Sequence, residues 1–358
     1  MKHHSIFIIA EIGINHNNSL DNCFQLINAA AAAGCNAVKF QLFKARQLYP
    51  RSAGKLDWGD AGGRYSYDIY NAVESFELPE SWINKIMHNC KKNKIEFLSS
   101  VFDKRGADYL VKRGIKVIKL SSSSLTNIPL IDYCTRYNLP LIISTGGSSL
   151  GEIEKAVTIA RKSHNKLSLL HCSLKYPTRL NECNLGVIQT LKYAFPGNKI
   201  GFSDHSKEVS EAAVQAVYLG AEIIEKHITL NKRMKGPDHF FALEPAELKR
   251  MVTDIRKAEN KVNCLPIELD RRIYGSSEKI TFTHERYLRD FSFISIFAKR
   301  DIKRGERIRY RDLRLLRPGK KKRGLDPEYL GLFKKYKIFA IKDVPCEEAI
   351  SWSSFLNA

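Results

Sequence analysis

Long apolar runs, paired cysteines and acidic residues are all scarce in this chain. The longest apolar runs fall far short of the roughly 18 residues that a membrane-spanning helix needs, so no membrane partner is expected. The first apolar run is short and is interrupted by Glu11, which does not match a secretory signal. The eight cysteines are scattered without a CxxC pair. This pattern favours reduced thiols and a cytoplasmic protein.

Acidic residues number 38 against 58 lysines and arginines, which gives a net charge of +20. Such a charge can mark a nucleic-acid-binding protein. The basic residues are nevertheless spread along the chain beside acidic ones, and the one dense run is PGKKKRG at 318–324. The distribution favours a solvated lysine-rich surface, and no nucleic-acid partner is expected.

Eight short apolar, β-branched runs recur within the first 230 residues, separated by helix-like segments. The runs are 5–13, 36–42, 95–102, 116–122, 140–147, 167–173, 199–205 and 221–227. Most lack strict alternation, as is typical of parallel strands buried on both faces. Together they predict a (β/α)8 TIM barrel. A doubly wound open sheet, the alternative, would normally show fewer strands and often a glycine-rich first turn, whereas the first turn here is EIGINHNN.

Nearly every predicted strand stops on a polar side chain, and the active site of such a barrel lies at those ends. The end residues include Glu11, Lys39, Gln41, Ser100, Lys119, Ser121, Ser122, Ser144, Thr145, His171, Ser203, Asp204, His205 and His227. Lys39 and Lys119 lie within apolar runs, so their ammonium groups must reach an anion or water. With the serine hydroxyls, they predict a phosphate pocket.

His205 and His227 would end the seventh and eighth strands. Adjacent strands lie about 4.8 Å apart, so both imidazoles can reach one ion. Two neutral nitrogens with water and substrate oxygens suit Mn²⁺, Co²⁺ or Zn²⁺. We therefore predict a metal centre with open positions for a substrate.

The sequence pattern changes after about residue 260. A stretch without a long helical period is followed by short strand-like pieces with turn signals. We predict a barrel domain at 1–262, a linker at 263–290 and a small β-rich domain at 291–358.

Several motifs occur in the order found in the sialic acid (N-acetylneuraminate) synthases and their legionaminate and pseudaminate relatives. They are IAEIGINHNNSL, AVKFQ, FLSSVFD, IISTGG, HCSLKYPT, GFSDHS and GPDHFFALEP. The tail, with AKRDIKRGE and RPG, resembles the antifreeze-like SAF domain of that family. The resemblance covers nearly the whole chain.

The resemblance implies a condensation of phosphoenolpyruvate with an open-chain N-acetylated hexosamine, N-acetylmannosamine or a related diacetamido sugar. Carbon 3 of phosphoenolpyruvate attacks the aldehyde, water adds to carbon 2, and phosphate leaves with C–O cleavage. A divalent cation on His205 and His227, Mn²⁺ first and Mg²⁺ or Co²⁺ as alternatives, would polarise the aldehyde. The resemblance leaves the acceptor sugar, the metal and the pathway open.

The resemblance also assigns roles to individual residues. Glu11, Lys39 and Lys119 match catalytic positions. Phosphoenolpyruvate would be held by Lys39, Ser100, Lys119, Ser122, Ser144 and Ser203, and the sugar by Glu11, Tyr176, Asp238 and Arg317. Arg317 matches an arginine that one subunit inserts into the barrel of its partner, which implies a domain-swapped homodimer.

Two positions depart from the family pattern. Ser124 stands where the family has an acid that handles the attacking water, a task that serine performs poorly. Leu174 stands where neuraminate synthases often have a polar residue. Two alternatives therefore remain: another phosphoenolpyruvate-using synthase of 3-deoxy-sugar acids, and a non-catalytic sugar- or phosphate-binding paralogue. The SAF-like tail argues against the first, and the retained site residues argue against the second.

Overall fold

A closed barrel of eight parallel strands forms the centre of the protein, in a computed structural model that describes residues 5–60, 63–162, 166–261 and 268–356. The strands are β1 Phe7–Gly13, β2 Ala37–Leu42, β3 Glu96–Val101, β4 Ile118–Leu120, β5 Leu141–Ser144, β6 Leu167–His171, β7 Lys199–Asp204 and β8 Ile223–His227. Each strand pairs in parallel with the next, and β8 pairs with β1 to close the barrel. The predicted (β/α)8 fold is confirmed.

One main helix follows each strand. These helices are α1 Leu20–Ala33, α2 Ile83–Lys92, α3 Lys104–Val111, α4 Ile128–Thr135, α5 Leu150–Ala160, α6 Gly186–Ala194, α7 Glu211–Tyr218 and α8 Pro245–Lys261. Local chemistry fixes several ends. Ser149 and Glu152 form a reciprocal capping box at the start of α5. Gly34 caps the carboxyl end of α1, with a φ of 90° that favours glycine.

The barrel interior is built in layers two residues apart, because alternate side chains of a strand point inward. A lower layer is apolar: Ile9, Ala37, Leu98, Ile142, Leu170 and Ile223. In β7 this layer is occupied by Gly201, where a Cβ would lie only 2.5 Å from Leu170 Cδ2 and from the carbonyl oxygen of Ile223. Two residues further along each strand, the inward positions become polar. The apolar layer therefore forms a dry floor beneath the strand ends.

An insertion between β2 and α2 covers one side of the barrel mouth. It contains the short helices Ala45–Leu48 and Ile69–Ser75, and an antiparallel hairpin of strands Lys55–Asp60 and Gly63–Asp68. Its apolar side chains form a separate cluster that includes Phe43, Leu48, Tyr49 and Ile69. The sequence analysis did not predict this hairpin.

After the barrel, the chain forms short helices Arg271–Tyr274 and Arg286–Ser292 and then a small β-rich domain. Its strands are β9 Ser295–Ala298, β10 Arg307–Ile308, β11 Leu313–Leu316 and β12 Ile338–Phe339, which pair β9 with β11 and β10 with β12. The domain has its own core, centred on Ile296, Phe333 and Ile350. The β-rich C-terminal domain is confirmed, whereas its SAF assignment and its boundaries stay predictions.

Within the described ranges, no helix combines the length and the apolar character needed to cross a membrane. The seven cysteines of the described ranges are free thiols, and six of them are buried.

Candidate active site at the carboxyl ends of the barrel strands

A cavity of about 230 Å³, called here the main cavity, opens above the apolar floor. The polar layer of the strands forms its base, and loops and the C-terminal domain form its walls. All twelve candidate site residues line it: Glu11, Lys39, Ser100, Lys119, Ser122, Ser144, Tyr176, Ser203, His205, His227, Asp238 and Arg317. The structure thus brings together every residue to which the resemblance gave a role, whereas Thr145, His171 and Asp204, three of the predicted strand-end residues, do not line this cavity. The role of each residue stays a prediction.

Four buried charged side chains form the base of the main cavity. Lys39 Nζ lies 3.0 Å from Glu11 Oε2 and 3.4 Å from Glu225 Oε1. Lys119 Nζ lies 3.8 Å from Glu225 Oε2. The register explains the grouping, because Glu11 faces Lys39 on β2 and His227 on β8. Two ammonium groups and two carboxylates therefore share a nearly dry compartment.

The protonation of this cluster follows from burial and proximity. Burial opposes ionisation of Glu225, but the ammonium groups of Lys119 and Lys39 outweigh it and lower its pKa to about 2. Burial also opposes the charge of Lys39, yet Glu11 and Glu225 hold the pKa of this lysine above its usual value. Burial raises the pKa of Glu11 and lowers that of Lys119. Glu225 is thus the permanent counter-ion, and Glu11 is the carboxyl group better able to carry a proton.

Serine hydroxyls surround both lysines. Lys39 Nζ donates to Ser100 Oγ at 3.2 Å, and Lys119 Nζ donates to Ser144 Oγ at 2.6 Å. Ser203 Oγ donates to Glu225 Oε1 at 3.0 Å. Ser122 Oγ accepts from the backbone N–H of Gly146 at 3.0 Å. Cations and rotatable hydroxyls in one cavity suit the oxygens of a phosphate or a carboxylate.

His205 and His227 stand side by side, with their ring centroids 5.9 Å apart. His205 Nδ1 lies 2.8 Å from the carbonyl oxygen of Ser173 and must donate to it, which leaves Nε2 unprotonated, with only a 3.5 Å contact to Ser203 Oγ. His227 Nδ1 is buried and has no hydrogen-bond partner among the described residues. Burial lowers the pKa of His205 to about 4 and that of His227 well below its usual value. Both rings are therefore neutral at pH 7, as metal ligands must be.

This donor set fits a divalent cation held by two imidazoles, with the remaining positions open to water and substrate. The described part of the chain contains no group of three or more His, Cys, Asp or Glu side chains arranged around one ion. The fit therefore rests on the histidine pair and the orphaned nitrogen of His227.

Tyr176 and Asp238 stand next to the histidines. The Tyr176 ring lies 4.2 Å from the His205 ring, measured between centroids. Asp238 Oδ2 lies 3.8 Å from His227 Nδ1. Burial, with a smaller contribution from Glu11, raises the pKa of Asp238 to about 7. These two side chains form the wall of the main cavity beside the histidine pair.

Arg317 enters the main cavity from the C-terminal domain of the same chain. Its Nη2 donates to Ser123 Oγ at 2.7 Å, and its backbone N–H donates to the carbonyl oxygen of Leu48 at 2.8 Å. The guanidinium lies over the rings of Tyr49 and Phe102. The sequence analysis placed this arginine in the barrel of a partner. In the structure it reaches its own barrel, so a single chain carries the arginine, and the homodimer stays a prediction.

Ser124 is fully buried in the short turn that follows β4, with its hydroxyl 3.3 Å from that of Ser121. Its neighbours Ser121, Ser122 and Ser123 line the main cavity. The turn therefore carries hydroxyl groups where the family pattern has an acid. One of these hydroxyl groups, that of Ser123, contacts Arg317.

The sequence analysis missed two carboxylates that organise the site. Glu225 lies two residues after the floor residue Ile223, so the two-residue layering would have placed it in the polar layer. Glu285, after the barrel, accepts from the N–H groups of Gly147 and Leu174 at 2.9 and 2.7 Å. It thereby fixes Leu174 in the wall of the main cavity, and only the path of the folded chain reveals this contact.

The barrel and its buried ionised cluster define a barrel enzyme. The sequence profile of the NeuB family matches residues 26–264. The chain belongs to this family, as the sequence motifs indicated.

Similar proteins cover nearly the whole chain. The spore coat polysaccharide biosynthesis protein SpsE of Bacillus subtilis is 39% identical, over 98% of this chain and 94% of that protein. The N,N'-diacetyllegionaminic acid synthase of Legionella pneumophila is 36% identical, over 87% of this chain and 85% of that protein. The crystal structure of Bacillus subtilis SpsE superposes with a TM-score of 0.87 at 38% identity, covering 100% of this chain and 97% of that one.

Proposed function

We propose that the protein condenses phosphoenolpyruvate with an open-chain N-acetylated hexosamine to give a nonulosonic acid and phosphate. Relatives named as synthases of legionaminic and pseudaminic acids support this reaction class. The observation that carries the proposal is the buried Lys39–Glu225–Lys119 cluster, which shares one cavity with a pair of neutral histidines.

Phosphoenolpyruvate occupies the base of the main cavity, beside Lys39 and Lys119. Lys39 and Lys119 bind its phosphate and carboxylate, with hydrogen bonds from Ser100, Ser122, Ser144 and Ser203. Charge-assisted hydrogen bonds of this kind are strong when water is excluded. Glu225 keeps the two lysines charged before the substrate arrives, so the site needs little rearrangement when the anion enters.

The sugar binds above it, with its aldehyde toward His205 and His227. A divalent cation on these histidines, Mn²⁺ first among the candidates, would supply Lewis-acid polarisation of the aldehyde oxygen. Tyr176, Asp238 and Arg317 orient the sugar. As carbon 3 of phosphoenolpyruvate bonds to the aldehyde carbon, the aldehyde oxygen takes a proton from Glu11 and becomes a hydroxyl group. Water then adds to the cationic carbon 2 and loses one proton to solvent water. When the C–O bond to phosphate breaks, the remaining proton of the added water passes to the departing phosphate, which leaves a ketone at carbon 2.

The reaction is tested by release of phosphate from phosphoenolpyruvate with Mn²⁺ and a panel of N-acetylated hexosamines, with the product identified by mass spectrometry. We expect a product heavier than the sugar by the pyruvate unit. Binding of phosphoenolpyruvate without release for any sugar would instead support the second candidate, a non-catalytic binding protein, which the replacement of the family acid by Ser124 favours.

We also propose that the enzyme is a cytoplasmic homodimer with a SAF domain at its C-terminus. The free thiols within the described ranges agree with a reducing compartment. Mixing inactive Arg317→Ala and His227→Asn chains tests domain exchange. Exchange predicts recovered activity, because one site per mixed dimer is intact. If Arg317 serves its own barrel, no activity returns.

A further inference from the structure

The backbone holds the two histidines of the candidate metal centre in different ways. His227 is the last residue of β8, whereas β7 ends at Asp204, so His205 lies one residue beyond its strand. The last paired residues of the two strands are Asp204 and Lys226. On the side of β6, the carbonyl oxygen of His205 accepts from the N–H of Thr178 at 3.0 Å. On the side of β8, the position of His205 depends on side-chain contacts.

A buried ion pair between Lys226 and Asp204 supplies the contact on the side of β8. Lys226 Nζ lies 2.7 Å from Asp204 Oδ2, and both side chains are only 1% exposed. Side chains alternate along a strand, so this pair points away from the main cavity while His205 and His227 point into it. The two residues are also direct partners in the register of β7 and β8. The ion pair therefore lies immediately behind the histidines, one residue earlier on each strand.

The ammonium group of Lys226 also binds the turn that follows β7. It donates to the carbonyl oxygens of Ser206 and Glu208 at 2.8 and 2.9 Å, and Ser206 Oγ lies 3.2 Å away. Asp204 Oδ1 accepts from the N–H of Ser206 at 2.8 Å. Lys226 and Asp204 thus hold the turn 204–208 at both of its ends, and His205 lies within this turn.

An ion pair in this position is informative, because burial of two charges costs free energy that their attraction often does no more than offset. Apolar side chains of similar size frequently stabilise a protein equally well. They cannot, however, bind carbonyl oxygens, so they would fill the space without fixing the path of the turn. A functional site needs its side chains held to within about 0.5 Å. The directional contacts of Lys226 and Asp204 therefore suit the placement of His205.

We propose that Lys226 and Asp204 are positioning residues of the metal centre. Their ion pair fixes the turn 204–208, so that His205 and His227 can bind one divalent cation together. This inference rests on the proposed function, because it concerns the cation of that reaction. Neither residue lines the main cavity, and both act through the backbone of the turn. Loss of a supporting contact behind a metal ligand typically lowers metal affinity about 10- to 100-fold.

The test measures Mn²⁺ binding to the full chain by calorimetry, without substrates, together with the Tm of the metal-free protein. The double variant Lys226→Met, Asp204→Leu replaces the ion pair by apolar side chains of similar size. The single variant Asp204→Asn keeps the shape of the side chain and removes its charge. The control is Arg256→Met, beside the start of β1, where Arg256 Nη1 donates to Glu259 Oε1 and to the carbonyl oxygen of Ile6 at 2.7 and 2.9 Å.

The double variant should bind Mn²⁺ about 10- to 100-fold more weakly than the wild type, at a temperature well below every metal-free Tm. Asp204→Asn should show a smaller loss, because its amide oxygen still accepts from Lys226. Arg256→Met should bind Mn²⁺ as the wild type does, even where its metal-free Tm falls. The Mn²⁺ concentration that half-activates phosphate release should rise by the same factor as the dissociation constant. General instability would lower the Tm without changing the affinity of the folded protein.

Unchanged Mn²⁺ affinity in the folded variants overturns the inference and leaves the proposed function intact. An equal loss in Arg256→Met also overturns it, because the effect would then not be specific to the turn. If neither Asp204 variant folds, the pair serves the fold as a whole and the inference fails. Absence of Mn²⁺ binding by the wild type overturns both the histidine centre and this inference, whereas phosphate release still decides the proposed reaction.

Discussion

Replacing Glu225 by glutamine removes a carboxylate that contacts both Lys39 and Lys119. The side chain keeps its size, but Lys39 and Lys119 lose a partner at 3.4 and 3.8 Å. Lys39 still has Glu11 at 3.0 Å, whereas Lys119 retains only neutral partners such as Ser144 within hydrogen-bonding distance. We therefore expect the folded state to be destabilised, chiefly through the uncompensated charge of Lys119.

The magnitude follows from the pKa of Glu225. A pKa that falls from 4.5 to about 2 corresponds to roughly 3 kcal/mol of preference for the ionised carboxylate in the folded protein, at about 1.4 kcal/mol per tenfold change. Removal of one partner from a buried ion pair costs about 3–5 kcal/mol, which agrees in order of magnitude. We expect the free energy of unfolding to fall by roughly 3 kcal/mol at pH 7.

The assay is urea unfolding with and without inorganic phosphate. Phosphate supplies the missing negative charge, so it should stabilise Glu225→Gln more than the wild type. The stability difference should also shrink as the pH falls from 4.5 toward 2, because a depressed carboxylate pKa contributes stability above the unfolded value and loses it on acidification. Equal stabilisation of both proteins by phosphate would refute the assignment of Glu225 as the counter-ion of an anion site.

Three further substitutions probe other parts of the site. His205→Gln should abolish the rise in Tm that Mn²⁺ produces. His88→Gln, on the exposed face of α2, should leave that rise unchanged. A normal rise in His205→Gln would exclude the histidine pair as the metal site. Ser124→Glu should speed phosphate release by restoring the acid of the family pattern beside the cavity-lining Ser123, with urea unfolding as the check that burial of the new carboxyl group leaves the fold intact. A fall from a high parent rate in the folded variant would contradict this. Glu285→Ala should lower the free energy of unfolding by roughly 1–3 kcal/mol, because it leaves buried N–H groups unpaired. It should also raise the KM for phosphoenolpyruvate. The control is Glu278→Ala, because Glu278 is exposed. If both substitutions have equal effects, Glu285 does not hold the Gly147 and Leu174 loops in place.

The sequence predicts the barrel and the content of its main cavity well, for a simple physical reason. Parallel strands put their ends at one mouth, so a polar residue that terminates an apolar run, such as Lys39 or His227, can be placed without coordinates. Glu225 was not predicted, because it lies inside its apolar run, two residues before the terminal His227, and its inward direction follows only from the alternation of side chains along the strand.

Other features depend on contacts between distant segments, which local patterns do not encode. Glu285 lies in a segment without a long helical period, and its partners Gly147 and Leu174 belong to two different loops. A second cavity, of about 440 Å³, lies where the insertion after β2 meets Phe291 and Arg317. Which barrel receives Arg317 likewise depends on the path of the chain: the resemblance implied the barrel of a partner, whereas in the structure the arginine lines the cavity of its own barrel.

The segment that leads from the barrel to Arg317 is held against the barrel, which determines how the activity should respond to dilution. Glu285 and Arg289 fasten this segment to the Gly147 loop, which makes the arginine a tethered group with a high effective concentration at its own barrel. Its occupancy of the cavity is then independent of protein concentration. Specific activity should stay constant on dilution, whereas an arginine supplied by a partner would be lost as the dimer dissociates.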